Sequence, residues 1–216
     1  MTYNFADHQS IINQFIAELR DVNIQQDRMR FRRNMERIGE IMAYEISKGL
    51  IYEPKEVETP MGIANCMVPT SKVVVAGILR AALPFYQGFI NTLDQAGSSF
   101  ISAYRMHHKD GTFEINLQYV TCPDLTDATL IIVDPMLATG ASMDVAIRSL
   151  EEYGTPTAMH ICTAIASDYG YNYIRRLYPK AHIWMGAKDE ELTAKSYIVP
   201  GLGDAGDLCF GPKLQE

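Results

Sequence analysis

No stretch of this 216-residue chain approaches the ~18 consecutive apolar residues of a membrane-spanning helix, so a transmembrane protein is not expected. The opening residues MTYNFADHQS lack a basic region followed by an apolar run, so no secretory leader is expected and the reading is cytoplasmic. Positive charge is in short supply: 19 Lys and Arg against 26 Asp and Glu leave a formal net charge of −7. That balance argues against a general nucleic-acid or anionic-membrane surface, while leaving room for a local basic pocket. Cysteines number only four, Cys66, Cys122, Cys162 and Cys209, with no C-x-x-C spacing, so reduced thiols are expected rather than disulfides or structural zinc. No G-x-G-x-x-G follows a strand pattern and no P-loop Gly-Lys-Ser/Thr occurs, which removes the two common nucleotide fingerprints. Internal repeats and low-complexity tracts are also lacking.

What is present is enough apolar material, 47% of residues, for a sizeable core and most economically one domain with an appendage. In the first fifty residues Phe31, Met35, Ile38, Met42 and Ile46 recur at spacings of three and four, an amphipathic helical arm. Its arginines, Arg28, Arg30, Arg32 and Arg33, are read as a solvated face or a subunit contact rather than a nucleotide site. From Lys72 strands and helices alternate: strands at Val73–Ile78, Phe100–Tyr104, Leu130–Val133, Ala158–Ile165 and His182–Met185, helices near Pro84–Gln95, Ala141–Tyr153 and Tyr169–Tyr178. This grammar predicts an α/β fold with a mostly parallel sheet. The polar segment between Arg105 and Asp127, with His107, His108 and then an alternating Thr112–Val120, reads as a projecting hairpin or lid; the two histidines are assigned to a solvated loop.

The stretch Val133-Asp134-Pro135-Met136-Leu137-Ala138-Thr139-Gly140-Ala141-Ser142 carries the most chemistry. The apolar run Thr129–Val133 reads as a strand buried on both faces, and Asp134 stands at its carboxyl end, where open parallel sheets bind ligands. Thr139-Gly140-Ala141-Ser142 can aim several backbone N–H groups at one phosphate, helped by the dipole of the following helix. A carboxylate one sugar-length upstream accepts both ribose hydroxyls, so the combination suits a 5-phosphoribosyl ligand. The competing account is an ordinary strand, turn and helix, with Asp134 satisfying a loop and Ser142 as N-cap.

A second stretch, Tyr197 to Gly211 (YIVPGLGDAGDLCFG), packs four glycines, one proline and two aspartates around little apolar bulk, which lets main-chain groups approach a flat ligand. Together the two stretches resemble the uracil phosphoribosyltransferase family, and Ala76-Gly77-Ile78-Leu79-Arg80-Ala81-Ala82-Leu83 is similar to its third motif, a strand running into an Arg-bearing turn. The C-terminal motif is the specific one, since the phosphoribose loop is common to type I phosphoribosyltransferases. The resemblance implies the type I phosphoribosyltransferase fold in one domain over residues 1–216: a mostly parallel sheet flanked by helices, a helical arm (1–50), a lid (105–127) and a C-terminal base-binding hood (186–216).

It further implies transfer of 5-phosphoribosyl from phosphoribosyl diphosphate to uracil, giving UMP and pyrophosphate. On that basis Arg80 and Arg105 hold the diphosphate, Arg105 from the base of a mobile loop. Asp134, Pro135, Met136, Leu137, Ala138, Thr139, Gly140, Ala141 and Ser142 hold the phosphoribosyl part, with Asp204 beside the reacting centre. Ile198, Gly203, Asp204 and Ala205 meet uracil through main-chain atoms, and Asp204 and Arg105 carry the catalytic role. Mg²⁺ is expected mainly through the diphosphate, without a dedicated protein cage. GTP is a candidate activator, and a homodimer or higher homo-oligomer is expected, from the amphipathic arm and the aromatic edge Tyr169–Tyr173.

The chain departs from the family pattern at Gly77 for a proline, Ala82 and Ala141 for glycines, Leu208 for a basic residue, and through much of Met106–Pro123. Ala141 keeps an N–H but resists positive φ, so the phosphate turn requires near-helical geometry there. Two alternatives stay open: a phosphoribosyltransferase for another base, disfavoured because purine types usually carry two adjacent acids where this chain has Asp134-Pro135, and a catalytically weak uracil- or UMP-sensing regulator on the same fold.

Overall fold

The structure, a computed structural model, describes residues 1–107 and 113–213, with 103–107 and 113–117 as backbone. In chain order it runs β1 (Thr2–Asn4), α1 (Ile11–Arg20), α2 (Arg28–Ser47), β2 (Tyr52–Thr59), β3 (Gly62–Pro69), β4 (Val73–Leu79), α3 (Leu83–Thr92), β5 (Gly97–His107), β6 (Phe113–Thr121), β7 (Thr129–Val133), β8 (Met136–Leu137), α4 (Ala141–Leu150), β9 (Ala158–Ser167), α5 (Asp168–Leu177), β10 (His182–Asp189), β11 (Glu191–Leu192), β12 (Ile198–Val199) and α6 (Ala205–Phe210).

The main sheet has the order β1-β10-β9-β7-β4-β5-β6, with β8 also on β9; all pairs are parallel except β5 with β6. The uninterrupted apolar strands follow from burial on both faces. Along β4 and β7, Val73, Val75, Ile131 and Val133 face a core built with α1, α2 and α3, while Val74, Ala76, Ile78, Leu130 and Ile132 face one built with α4 and α5. The chain leaves β4 toward β5 on one side and later enters β7 on the other, which makes the β4/β7 boundary a topological switch point.

The helical arm is seated within the chain itself. Asp27 caps α2 by accepting from the Met29 and Arg30 N–H groups, and Phe31, Met35, Ile38, Met42 and Ile46 are all buried. Gly39 and Gly88 let α2 and α3 cross closely: a Cβ at Gly88 would lie 2.0 Å from the Glu36 carbonyl oxygen. The apolar stripe of the arm is therefore covered inside the chain and needs no second copy to bury it. Of Arg28, Arg30, Arg32 and Arg33, three are engaged as well: Arg30 with Glu18 at 3.0 Å, Arg33 with Glu36 at 2.7 Å, and Arg32 donating to the Cys209 carbonyl at 2.7 Å.

The expected helix near Ala141–Tyr153 ends as α4 at Leu150, followed by a 3₁₀ turn over Glu151–Tyr153. The segment read as a hairpin pairs as β6 with β5 at the edge of the main sheet, and His108, Lys109, Asp110, Gly111 and Thr112 lie outside the described residues. A second hairpin, β2 with β3, was not foreshadowed by the sequence pattern. It forms a two-stranded sheet of its own and leaves Met61, Ile63 and Met67 exposed.

Candidate active site

Two of the three motifs meet at the carboxyl end of adjacent strands. In the β4/β7 pairing Gly77 lies opposite Val133, so Arg80 and Asp134 emerge at the same end of the switch point. Asp134 leads into a loop stitched to β9: the Pro135 carbonyl accepts from the Ala164 and Ile165 N–H groups at 3.1 and 3.0 Å, and β8 pairs with Ile165 and Ala166. The Asp134 carboxylate also accepts from the Met136 N–H at 3.4 Å. Asp134, Met136, Leu137, Ala138, Thr139, Gly140, Ser142 and Met143 line a small cup.

The cup owes its shape to Gly140, which sits at φ +83° as the N-cap of α4, a left-handed position that favours glycine. A Cβ there would lie 2.8 Å from the Tyr173 ring. Ala141 is the first residue of α4, so the alanine stands in the near-helical geometry the turn requires, and its N–H donates to Thr139 Oγ1 at 3.3 Å. Gly140, rather than Ser142, is the N-cap, which leaves the Ser142 hydroxyl on the lining of the cup.

Residues that the sequence reading did not single out hold this loop from behind. Ser167, the N-cap of α5, donates to the Ala138 carbonyl at 2.5 Å and accepts from the Gly170 N–H at 2.9 Å. Gly170 is required by proximity, because a Cβ would fall 2.3 Å from the same Ala138 oxygen. The Ser-Asp-Tyr-Gly start of α5 was legible as a cap; its contact with the loop was not, since the two are distant in sequence. Asp144, nearly buried on α4, accepts from Tyr178 Oη at 2.6 Å and Arg148 Nε at 3.0 Å. Burial alone would raise its pKa, but these hydrogen bonds prevail and hold it below the usual carboxylate value, so α4 and α5 are tied together by an ionised group.

The third motif closes over Arg80. Arg80 Nη2 donates to the Asp207 carboxylate at 2.9 Å and to the Gly211 carbonyl at 2.8 Å, and its guanidinium lies 5.8 Å from the centre of the Phe210 ring. Its Nε is buried without a hydrogen-bond partner. Asp204 caps α6, its Oδ1 accepting from the Asp207 N–H at 3.0 Å, while Oδ2 lies 3.5 Å from Lys213 Nζ. Gly203, at φ +96°, turns the chain into this cap, with Ala205 buried just beyond it. Ile198 is buried on β12 and pairs with Leu192.

Arg105 lies on β5 opposite Ile115, and its side chain is outside the described residues. Ser102 of the same strand faces Leu79, so the Arg105 backbone projects about 10 Å further, past the end of β4 and on the Arg80 side of the sheet. Sequence reasoning thus named residues that gather at one end of the sheet; it missed Ser167, Gly170, Asp207 and Lys213, whose contacts are tertiary.

Comparison with known proteins agrees with this geometry. A family model described as uracil phosphoribosyltransferase matches residues 6–212. Among curated proteins, one named uracil phosphoribosyltransferase from Porphyromonas gingivalis is 52% identical over 210 residues, covering 97% of both chains. Another of that name from Thermococcus gammatolerans is 36% identical, covering 99% of this chain and 95% of the other. Among solved structures, the AQ2163 protein of Aquifex aeolicus superposes with a TM-score of 0.88 at 29% identity, over 99% of this chain and 100% of that one. A hypoxanthine phosphoribosyltransferase from Staphylococcus aureus, 13% identical with a TM-score of 0.50 over 85% of this chain and 83% of the other, shares the fold.

Proposed function

The chain belongs to the uracil phosphoribosyltransferase family and has the type I phosphoribosyltransferase fold, and from that premise we propose that it transfers 5-phosphoribosyl from phosphoribosyl diphosphate to uracil, yielding UMP and pyrophosphate. The observation that carries the proposal is the convergence at one sheet end of the Asp134–Ser142 cup and the Arg80–Asp204 cluster. The whole chain acts as one phosphoribosyltransferase domain, an assignment supported by a core that α1, α2, the sheet and the C-terminal segment share.

In this reading the 5′-phosphate sits on the N–H groups at the start of α4, between the Thr139 and Ser142 hydroxyls. Asp134 accepts the ribose hydroxyls. The diphosphate lies toward Arg80, whose planar fork can bind two oxygens once the Asp207 carboxylate gives way, and Arg105 approaches from β5. The bond from C1′ to the diphosphate oxygen breaks as uracil N1 bonds to C1′ from the opposite face and loses its proton. Positive charge then grows on the ribose, and the Asp204 carboxylate is placed to stabilise it. Ile198, Gly203, Asp204 and Ala205 present peptide groups to the base. Cytosine, with a donor where uracil has an acceptor at C4, would leave one of those groups unpaired.

Mg²⁺ fits this donor set as a substrate-borne ion. The cup offers hard oxygen ligands from Asp134 and from hydroxyls. When bound, Mg²⁺ would neutralise charge on the leaving diphosphate. A cytoplasmic location and a candidate GTP activator belong to the same proposal, the second read by adding GTP to the assay. Among the described residues no helix is long and apolar enough to cross a membrane.

We also propose a homodimer or larger assembly, for which the β2/β3 hairpin is a candidate surface in addition to the arm and the Tyr169–Tyr173 edge, where Tyr169 is 61% exposed. An isolated two-stranded hairpin is at best marginally stable in water, and this one exposes Met61 at 96% and Ile63 at 69%. Light scattering should give at least a dimeric mass at micromolar concentration, and a monomeric mass would contradict it.

The enzymatic proposal is tested by incubating purified protein with Mg²⁺, phosphoribosyl diphosphate and uracil. UMP and pyrophosphate should appear in equal amounts. UMP bound tightly but never formed would favour the sensing role instead.

A further inference from the structure

The main-chain stretch assigned to the base has a gap in its middle. Ile198 lies before it and Gly203–Ala205 after it, and the intervening Gly201 and Leu202 are held by side chains from outside that stretch: Arg20 and Gln25 of the N-terminal arm, and Asp189 at the end of β10. Arg20, the last residue of α1, forms a two-pronged ion pair with Asp189, the last residue of β10: Nη1 to Oδ2 and Nη2 to Oδ1, both at 2.8 Å. The pair captures one peptide unit on each side of Gly201. Arg20 Nη1 donates to the Gly201 carbonyl at 2.9 Å, and the Gly201 N–H donates to Asp189 Oδ2 at 2.9 Å. One residue on, buried Gln25 donates through Nε2 to the Leu202 carbonyl at 3.2 Å and to the Leu19 carbonyl at 2.8 Å.

The chain has little freedom at this point. Gly201 is left-handed at φ +56°, and a Cβ there would lie 2.1 Å from the Ile198 carbonyl oxygen. Asp189 is 7% exposed and Arg20 23%, so the pair is largely withdrawn from solvent and both carboxylate oxygens are used. Bidentate pairing of this kind fixes orientation as well as distance. A base read by peptide groups depends on the spacing of those groups to a fraction of an ångström, and no side chain can adjust to correct an error.

Resting on the proposed uracil site, we infer that Arg20, Asp189 and Gln25 are positioning residues that set the register between the two halves of the base-binding stretch. They touch neither substrate. Their effect falls on uracil and leaves the contacts to phosphoribosyl diphosphate that are built on β4, β5, β7 and α4 unaltered.

The test is steady-state kinetics on the full chain with each substrate varied in turn. In Arg20→Ala the KM for uracil should rise about ten-fold or more while the KM for phosphoribosyl diphosphate stays within about two-fold. Arg20→Lys, which keeps the charge but not the planar fork, should show the same selectivity. Guanidinium at a non-denaturing concentration should lower the uracil KM of Arg20→Ala and leave that of wild type unchanged. Gln25→Met, which removes the amide at similar size, gives an independent reading should Arg20→Ala fail to fold, and a selective rise in its uracil KM supports the inference. Equal effects on both substrates, a loss of kcat alone, or an unchanged uracil KM in soluble variants would overturn it. A wild-type protein that makes no UMP would instead count against the uracil site itself.

Discussion

Arg80 and Asp207, 127 residues apart, are joined by a 2.9 Å ion pair that places the arginine at the end of β4 against the C-terminal segment. Both side chains are a little over one-third exposed, and such pairs contribute little, about 0–1 kcal/mol. A diphosphate can therefore displace the Asp207 carboxylate at small cost. Arg80→Lys should raise the KM for phosphoribosyl diphosphate about ten-fold, since one ammonium cannot replace the planar fork. Asp207→Asn should change it by less than about three-fold. Initial-rate measurements on the two variants decide the matter, and a larger effect from Asp207→Asn would show that the carboxylate serves the substrate itself.

Asp204 combines a visible structural task with a proposed chemical one, and substitution can separate them. Its Oδ1 caps α6, a task asparagine performs about as well as aspartate. Asp204→Asn should keep its melting temperature while UMP formation falls by about 100-fold, the scale of a lost charge at a reacting centre. Asp204→Ala should lose the same activity and, in addition, about 1 kcal/mol of stability with the cap. Full activity in a normally melting Asp204→Asn protein would leave this residue a helix cap and nothing more.

How far the sequence anticipated all this depended on the range of the interactions. Strands such as Thr129–Val133 were legible because burial on both faces forces an unbroken apolar run. The Gly140 turn was legible because left-handed backbone selects glycine. Asp134 and Arg80 could be named from their places at strand ends, although their adjacency follows from a strand order in which β7 returns beside β4. The β2/β3 hairpin was not legible: Glu53, Lys55, Glu56 and Glu58 make its first strand read as solvated chain, and it lacks the one buried face that produces clean alternation. The arm was read correctly as an amphipathic helix but assigned the wrong covering, because periodicity reports that a face is buried and not what buries it. The Arg20–Asp189 clamp, 169 residues apart, left no local signal at all.

At the opposite end of the sheet from the cup, Trp184 Nε1 donates to His160 Nδ1 at 3.0 Å, which requires that nitrogen to be unprotonated. Burial, with smaller contributions from His182 and the terminal amino group, lowers the His160 pKa from 6.5 to about 4. A base with a depressed folded-state pKa keeps its full contribution above pH 6.5 and loses it progressively as the pH falls toward 4. The difference amounts to about 3 kcal/mol across that window. Melting temperatures from pH 7.5 to 4.5 should fall less steeply in His160→Asn, whose side-chain oxygen can still accept from Trp184, than in wild type. Identical slopes would remove His160 from the acid sensitivity of the fold.

The central claim, that this sheet end joins phosphoribose to uracil in particular, is tested most directly by base selectivity. Purified protein with Mg²⁺ and phosphoribosyl diphosphate is given uracil, cytosine, adenine, guanine and hypoxanthine one at a time, and the nucleotide formed is measured. The account predicts UMP from uracil and little product from the other four, because the peptide groups proposed to read the base would be left unpaired by a different hydrogen-bonding edge. Efficient formation of a purine nucleotide with no UMP would contradict it.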